Sequence, residues 1–162
     1  MADWRAISDS EIVDMFERIR IWTSRDHVAP HKPLVLLRAL GRLARGDSRL
    51  EPFVVSEKAV KNLIDQYGFP AIPRATYPFW RLQNDGIWEV SQSGALKSFE
   101  NRSGDVSAEK LREYGASGGF PEGLHQRLVE NPELFSRVVQ CLLDMGEFSE
   151  SIRFRLLMVA GS

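Results

Sequence analysis

Pro70, Pro73 and Pro78 all fall in one stretch, Phe69-Pro70-Ala71-Ile72-Pro73-Arg74-Ala75-Thr76-Tyr77-Pro78. Each proline removes a backbone donor and biases the residue before it toward extended geometry. No regular element absorbs that spacing, so the sequence predicts an ordered, extended surface loop. The cations Arg74 and Arg81 bracket its end, and the Tyr77-Pro78 step is therefore read as surface.

The segments before this loop read as helices. Ser8 or Asp9 is suited to cap one through about Arg20, with Ile12, Met15, Phe16 and Ile19 at helical spacing. Thr23 to Pro30 reads as a loop. In the next helix Pro33 suits the first turn, Leu36, Leu37, Leu40 and Leu43 form an apolar stripe, and Gly46 is a natural stop. Arg38, Arg42 and Arg45 lie along one edge of it. Pro52-Phe53-Val54-Val55 reads as a short strand, followed by a helix that Ser56 caps and that runs to about Tyr67.

Beyond the loop, Phe79-Trp80-Arg81-Leu82 and Ile87-Trp88-Glu89-Val90 flank Gln83-Asn84-Asp85-Gly86. Alternation on both arms around an Asp-Gly turn predicts a β-hairpin. Ser91 to Asp105 is a polar connector. The last third is helical, with starts at Ser107, Pro121 and Pro132 and a final segment from Glu150 to Val159. The expected class is α+β, mostly helical, with a small antiparallel hairpin or sheet.

The 162 residues suit a single domain spanning 1–162. Apolar residues make up 43% and charged residues 27%, an ordinary soluble balance. No apolar run is long enough for a membrane span, and the start lacks a signal-type pattern. The single cysteine, Cys141, excludes an internal disulfide framework and a multi-cysteine zinc site. It lies in Val138-Val139-Gln140-Cys141-Leu142-Leu143 and reads as a core thiol. A reducing, cytoplasmic setting fits these features.

The net charge of −1 conceals a segregation. From Arg18 to Arg81 twelve basic residues face five acidic ones, a net of +7, and the remainder carries −8. One reading is a basic face that steers a polyanion. The other is that the segments interleave in space and the field cancels.

Catalysis has no visible constellation. There is no phosphate loop followed by Lys-Ser/Thr and no Gly-x-Ser-x-Gly elbow. His27 and His31 form the one close histidine pair, a weak basis for a metal site. No cofactor or metal is expected. What stands out is basic and polar material on a restrained backbone. His31-Lys32-Pro33 puts an imidazole and an ammonium at a helix N-terminus, a place suited to a phosphate. A structural reading, with His31 as a cap and Lys32 solvated, stands beside it. Arg74, Arg81, Gln83 and Asn84 could read base edges. Alternatively, Arg81 pairs with Glu89 across the hairpin and the neighbouring aromatics are core.

His31-Lys32-Pro33-Leu34-Val35-Leu36-Leu37, together with Tyr77-Pro78-Phe79-Trp80-Arg81-Leu82 and Asn84-Asp85-Gly86-Ile87-Trp88-Glu89-Val90, resembles the sulfur-binding domain of phosphorothioate-dependent restriction endonucleases. The likeness runs over about Ile12 to Val90. It implies recognition of double-stranded DNA in which sulfur replaces a non-bridging phosphate oxygen. In that family a separate C-terminal HNH nuclease domain cuts; no such domain is visible in this sequence, which is expected to be the reader alone or the reader of a larger HNH restriction endonuclease, and not itself an enzyme. Tyr77, Pro78, Arg81 and His31 would line a shallow sulfur pocket. Lys32, where some relatives carry arginine, would hold a phosphate. Arg38, Arg42, Arg74, Gln83 and Asn84 are added from the residues themselves as phosphate or base contacts. The alternative is a general nucleic-acid-binding or protein-interaction domain without sulfur selectivity.

Overall fold

The structure is a computed structural model that describes residues 3–19, 23–24, 27–28, 30–67, 76–146 and 148–160. The side chains of Thr23, Ser24, His27, Val28, Thr76, Tyr77 and Phe154 lie outside that description, as does the proline-rich stretch 68–75.

Helix α1 (Asp9–Glu17) begins at Ser8, whose hydroxyl accepts from the Glu11 N–H and donates to the Glu11 carboxylate. This Ser-x-x-Glu arrangement satisfies an orphan amide. Ile12, Val13 and Phe16 are buried, and Ile19 is buried just past the helix end. Strands β1 (Thr23–Ser24) and β2 (His27–Val28) pair antiparallel, where the sequence suggested only loop. Helix α2 (His31–Ala44) starts two residues before Pro33, which sits in the first turn where no N–H is needed. Leu34, Leu36, Leu37 and Leu40 are fully buried, and Gly46 takes φ +79° beyond its end.

Strand β3 is only Glu51–Pro52, and α3 (Phe53–Tyr67) begins four residues earlier than a helix capped by Ser56 would. Burial gives the reason. Phe53 is 2% exposed and meets Phe79 edge-on at 5.0 Å, while Val54 and Val55 are both about half exposed. A strand would have buried Phe53 and Val55 together. The core instead takes one residue per helical turn, Phe53, Ser56 and Val60.

The expected hairpin is absent. Phe79, Trp80 and Arg81 belong to α4 (Thr76–Arg81), a 3-10 turn follows over Leu82–Asp85, and Gly86 ends it at φ +80°. An Asp-Gly pair serves a left-handed helix stop as well as a tight hairpin turn. Adjacent Phe79 and Trp80 are both buried, which a strand with one solvated face cannot achieve.

The chain then gives β4 (Glu89–Val90), α5 (Ser93–Leu96), α6 (Ala108–Glu113) and β5 (Ser117–Gly119). The helices α7 (Glu122–Glu130), α8 (Pro132–Met145) and α9 (Glu150–Ala160) complete it. Ser107 and Asn131 cap α6 and α8 through their side chains. The glycine-rich β5 is the central strand of a three-stranded antiparallel sheet, β3-β5-β4. A Cβ on Gly118 would lie 2.6 Å from the Phe79 ring, and one on Gly119 would lie 2.2 Å from the Arg49 carbonyl oxygen. The fold is therefore α+β, mostly helical with a small sheet.

Helix α2 lies at the centre, against α3, α4, α8 and α9, while α1 packs on α8. An edge-to-face chain of rings runs Phe16, Phe120, Trp88, Phe79, Phe53, with centroids 5.0 to 6.1 Å apart. It locks α4 and the sheet to the helical core.

Candidate nucleic-acid interface

The two sequence blocks that carry the resemblance meet in space. Helix α4 packs against α2, and Lys32 Nζ lies 2.8 Å from Asp85 Oδ2, both side chains nearly buried. The start of α2 is thus tied to the end of the α4 segment.

Helix α4 has two unlike sides. Phe79 and Trp80 enter the core. Pro78 and Arg81, three residues apart and therefore on one face, remain half-buried at the surface. Pro78 lies in the first turn of this helix and not in an extended loop, a correction that leaves it at the surface. Tyr77 is also in α4, but its side chain, like the whole of Arg74, lies outside the described residues.

Arg81 does not pair with Glu89. Its Nε and one terminal nitrogen donate to the two carboxylate oxygens of Asp105, at 2.5 and 2.7 Å. Glu89 is held instead by Arg49, which also donates to the Phe120 carbonyl. Asp105 was invisible in the sequence, lying in what read as a polar connector.

His31 is 2% exposed, and neither ring nitrogen has a hydrogen-bond partner among the described residues. Burial holds its pKa below the usual 6.5, so the ring is neutral near pH 7. A neutral imidazole offers one donor and one acceptor, and burying both unmet disfavours the fold by about 1–3 kcal/mol per group.

Gln83 does not project outward. Its amide donates to the Trp80 carbonyl and accepts from the Ser93 hydroxyl. Asn84, next to it, is exposed with no partner among the described residues.

Arg38 and Arg42 depart furthest from expectation. Arg38 is 5% exposed, and its guanidinium grips both Glu51 oxygens at 2.6 and 2.7 Å and the Ala160 carbonyl at 2.8 Å. Arg42 joins the same carboxylate at 3.1 Å and the Ser48 carbonyl. The edge they share faces an internal acid, Glu51, and both guanidinia are engaged within the fold. More broadly, Lys32, Arg49 and Arg81 pair with acids outside the segment from Arg18 to Arg81, namely Asp85, Glu89 and Asp105, which offsets three of its seven net positive charges, while Arg38 and Arg42 share Glu51 within it. Lys58 and Lys61 on α3 stay exposed.

Cys141 is half-buried, and burial with Glu17 and Asp144 nearby pushes its thiol up to about 11. It is a poor nucleophile at neutral pH. No group of three or more potential metal ligands occurs among the described residues, and no described helix is long and apolar enough to cross a membrane.

The family described as "ScoMcrA-like, DNA sulfur-binding domain" matches residues 9–161. The solved sulfur binding domain of ScoMcrA complexed with phosphorothioated DNA is similar, with a TM-score of 0.75 and 24% identity over 93% of this chain and 98% of that one. The sulfur binding domain of SprMcrA, also complexed with phosphorothioated DNA, gives a TM-score of 0.74 and 20% identity over 96% and 94%. The type IV phosphorothioation-dependent restriction endonuclease ScoMcrA gives a TM-score of 0.73 and 23% identity, and this chain covers 27% of its length. No curated protein sequence matches the chain.

Proposed function

The chain belongs to the ScoMcrA-like DNA sulfur-binding domain family, and on that premise we propose that it reads phosphorothioate-modified double-stranded DNA through the outer face of α4. The observation that carries this is the position of Pro78 and Arg81 on that face, beside the start of α2, in a chain whose family match runs from residue 9 to 161.

Pro78 and the aliphatic stem of Arg81 present apolar surface to the sulfur, Tyr77 is a further pocket residue by family likeness, and buried His31 is the first residue of the neighbouring α2. Sulfur is larger and more polarisable than oxygen and a poorer hydrogen-bond acceptor. It gains dispersion contacts there and forfeits little on leaving water. A phosphate oxygen in the same place loses water without gaining a donor, a penalty of about 1–3 kcal/mol by mutational estimates. That is roughly a tenfold to hundredfold preference for sulfur.

Lys32 gives one of its three N–H donors to Asp85 and has the others for a flanking phosphate. Exposed Asn84 is the base-edge candidate, Arg74 a further cation for the backbone, and Gln83 supports the turn that carries Asn84. The protein acts as a reader, in the cytoplasm, with cutting left to a separate nuclease domain.

The test is fluorescence anisotropy on paired short duplexes that differ by one phosphorothioate, at two salt concentrations. The sulfur duplex is expected to bind tenfold or more tightly, and the ratio to persist at higher salt while both affinities fall. Equal, salt-sensitive binding to both would leave an ordinary backbone binder. Binding to neither would point to a protein partner.

A further inference from the structure

Arg81 poses a problem for a sulfur pocket. A guanidinium offers five N–H donors and is always charged, so a free one on this face would bind any phosphate oxygen and favour ordinary DNA. Its side chain is 41% exposed, yet it grips a carboxylate that is 1% exposed. The grip is the two-point fork, Nε to Oδ1 and a terminal nitrogen to Oδ2, in which both groups are held in one plane.

The loop that delivers this carboxylate is itself closed. The Asp105 N–H donates to the Asn101 side-chain oxygen at 3.0 Å, the Ser103 N–H to the same oxygen at 2.8 Å, and the Asn101 N–H to the Asp105 carbonyl at 2.9 Å. Gly104 takes φ +82° to make the turn, and Val106 is fully buried immediately after. Asp105 is therefore a fixed anchor, and Arg81 is the partner that comes to it.

We propose that Asp105 is a specificity-determining residue: by pinning the Arg81 guanidinium, balancing its charge and taking two of its five N–H donors, it leaves the aliphatic stem on the α4 face and weakens what the head offers an oxygen. This rests on reading the outer face of α4 as the sulfur site. Asp105 touches no DNA in this account and acts through Arg81.

The experiment is a double-mutant cycle on the sulfur-to-oxygen affinity ratio, using the paired duplexes with Asp105→Asn, Arg81→Ala and the double variant. Released from its anchor, Arg81 can make a charge-assisted hydrogen bond to a phosphate oxygen, worth about tenfold or more in affinity. Asp105→Asn is expected to tighten binding of the unmodified duplex by about that factor, to lower the ratio accordingly, and to steepen the salt dependence. In the Arg81→Ala background Asp105→Asn is expected to change neither. An unchanged ratio in folded Asp105→Asn, or an effect that persists without Arg81, overturns the assignment. Should Asp105→Asn fail to fold, Arg81→Gln carries the same question, since it keeps most of the stem and removes the charge. The ratio then stays near the wild-type value, and its collapse would overturn the assignment. A wild-type ratio of one sinks the sulfur reading itself, and this inference with it. A high wild-type ratio with an inert Asp105→Asn sinks this inference alone.

Discussion

Lys32 and Asp85, 53 residues apart, meet at 2.8 Å and join the start of α2 to the end of the α4 segment. Their side chains are 14% and 8% exposed, so this pair is shielded from the screening that makes most surface ion pairs worth little. Lys32→Met strips the ammonium from a nearly buried carboxylate and is expected to destabilise the fold by about 1–3 kcal/mol. In a cycle with Asp85→Asn the double variant should be less destabilised than the sum of the singles, as read by urea denaturation. Strict additivity would show that the pair contributes no coupling.

Arg38 gives the converse case, a basic residue read as a DNA contact that the fold uses internally. Arg38→Met leaves Glu51 facing Arg42 alone and removes the donor on the Ala160 carbonyl. Breaking a buried pair from one side costs about 3–5 kcal/mol, so the denaturation midpoint should drop sharply. DNA affinity per folded molecule should hold. A selective loss of affinity without loss of stability would return Arg38 to the interface.

These two pairs show where sequence reading stops. Helix positions were legible because their signals are local: Ser107, Pro121 and Pro132 mark starts within a residue of those of α6, α7 and α8. The Arg38–Arg42 edge was also legible, but not the acid that meets it, since Glu51 enters from β3 outside the helix. The hairpin error arose because Asp85-Gly86 signals a turn without saying what it ends. The central strand β5 is two glycines and a serine, residues of low strand preference, and only the approach of Phe79 and the Arg49 carbonyl explains them. At the site, the juxtaposition of His31-Lys32 with α4 came from family resemblance and not from spacing. Asp105 had no signal at all, because a carboxylate in a polar connector looks solvated until its partner is known.

Gly118 tests the β5 argument directly. A Cβ there falls 2.6 Å from one Phe79 ring atom and 3.0 Å from Trp88, both in the buried ring chain. Gly118→Ala is expected to force those rings apart and to destabilise by about 1–3 kcal/mol, the usual range for overpacking. Near-ultraviolet circular dichroism should weaken along with the melting temperature. An unaltered melt would mean that the rings have room to move.

His31 makes stability pH-dependent. Its folded pKa lies below the unfolded value of 6.5, so the unfolded chain takes up the proton first as the pH falls. Its contribution is fully present above 6.5 and is lost as the pH drops from there through the lowered folded value. His125, depressed by burial and by Arg49, works in the same direction. The denaturation midpoint should fall between about pH 7 and pH 5, and His31→Phe should flatten part of that slope. A slope identical in the variant would mean that His31 takes no part in the titration.

Pro78 offers the cleanest separation of folding from recognition. It is in the first turn of α4, where its missing N–H breaks no helical bond, so alanine fits the same backbone and supplies a donor that the helix does not need. The buried residues beside it, Phe79 and Trp80, keep their packing. Stability should therefore stay within about 1 kcal/mol of wild type, as for a partly exposed site. What alanine removes is ring surface on the outer face, and with it the dispersion contacts that distinguish sulfur from oxygen. Anisotropy on the paired duplexes should show weaker sulfur binding, little change for the unmodified duplex, and so a ratio that falls several-fold. If both duplexes weaken in proportion, Pro78 shapes the backbone contact and not the pocket. If neither changes, the sulfur lies elsewhere on the α2–α4 surface.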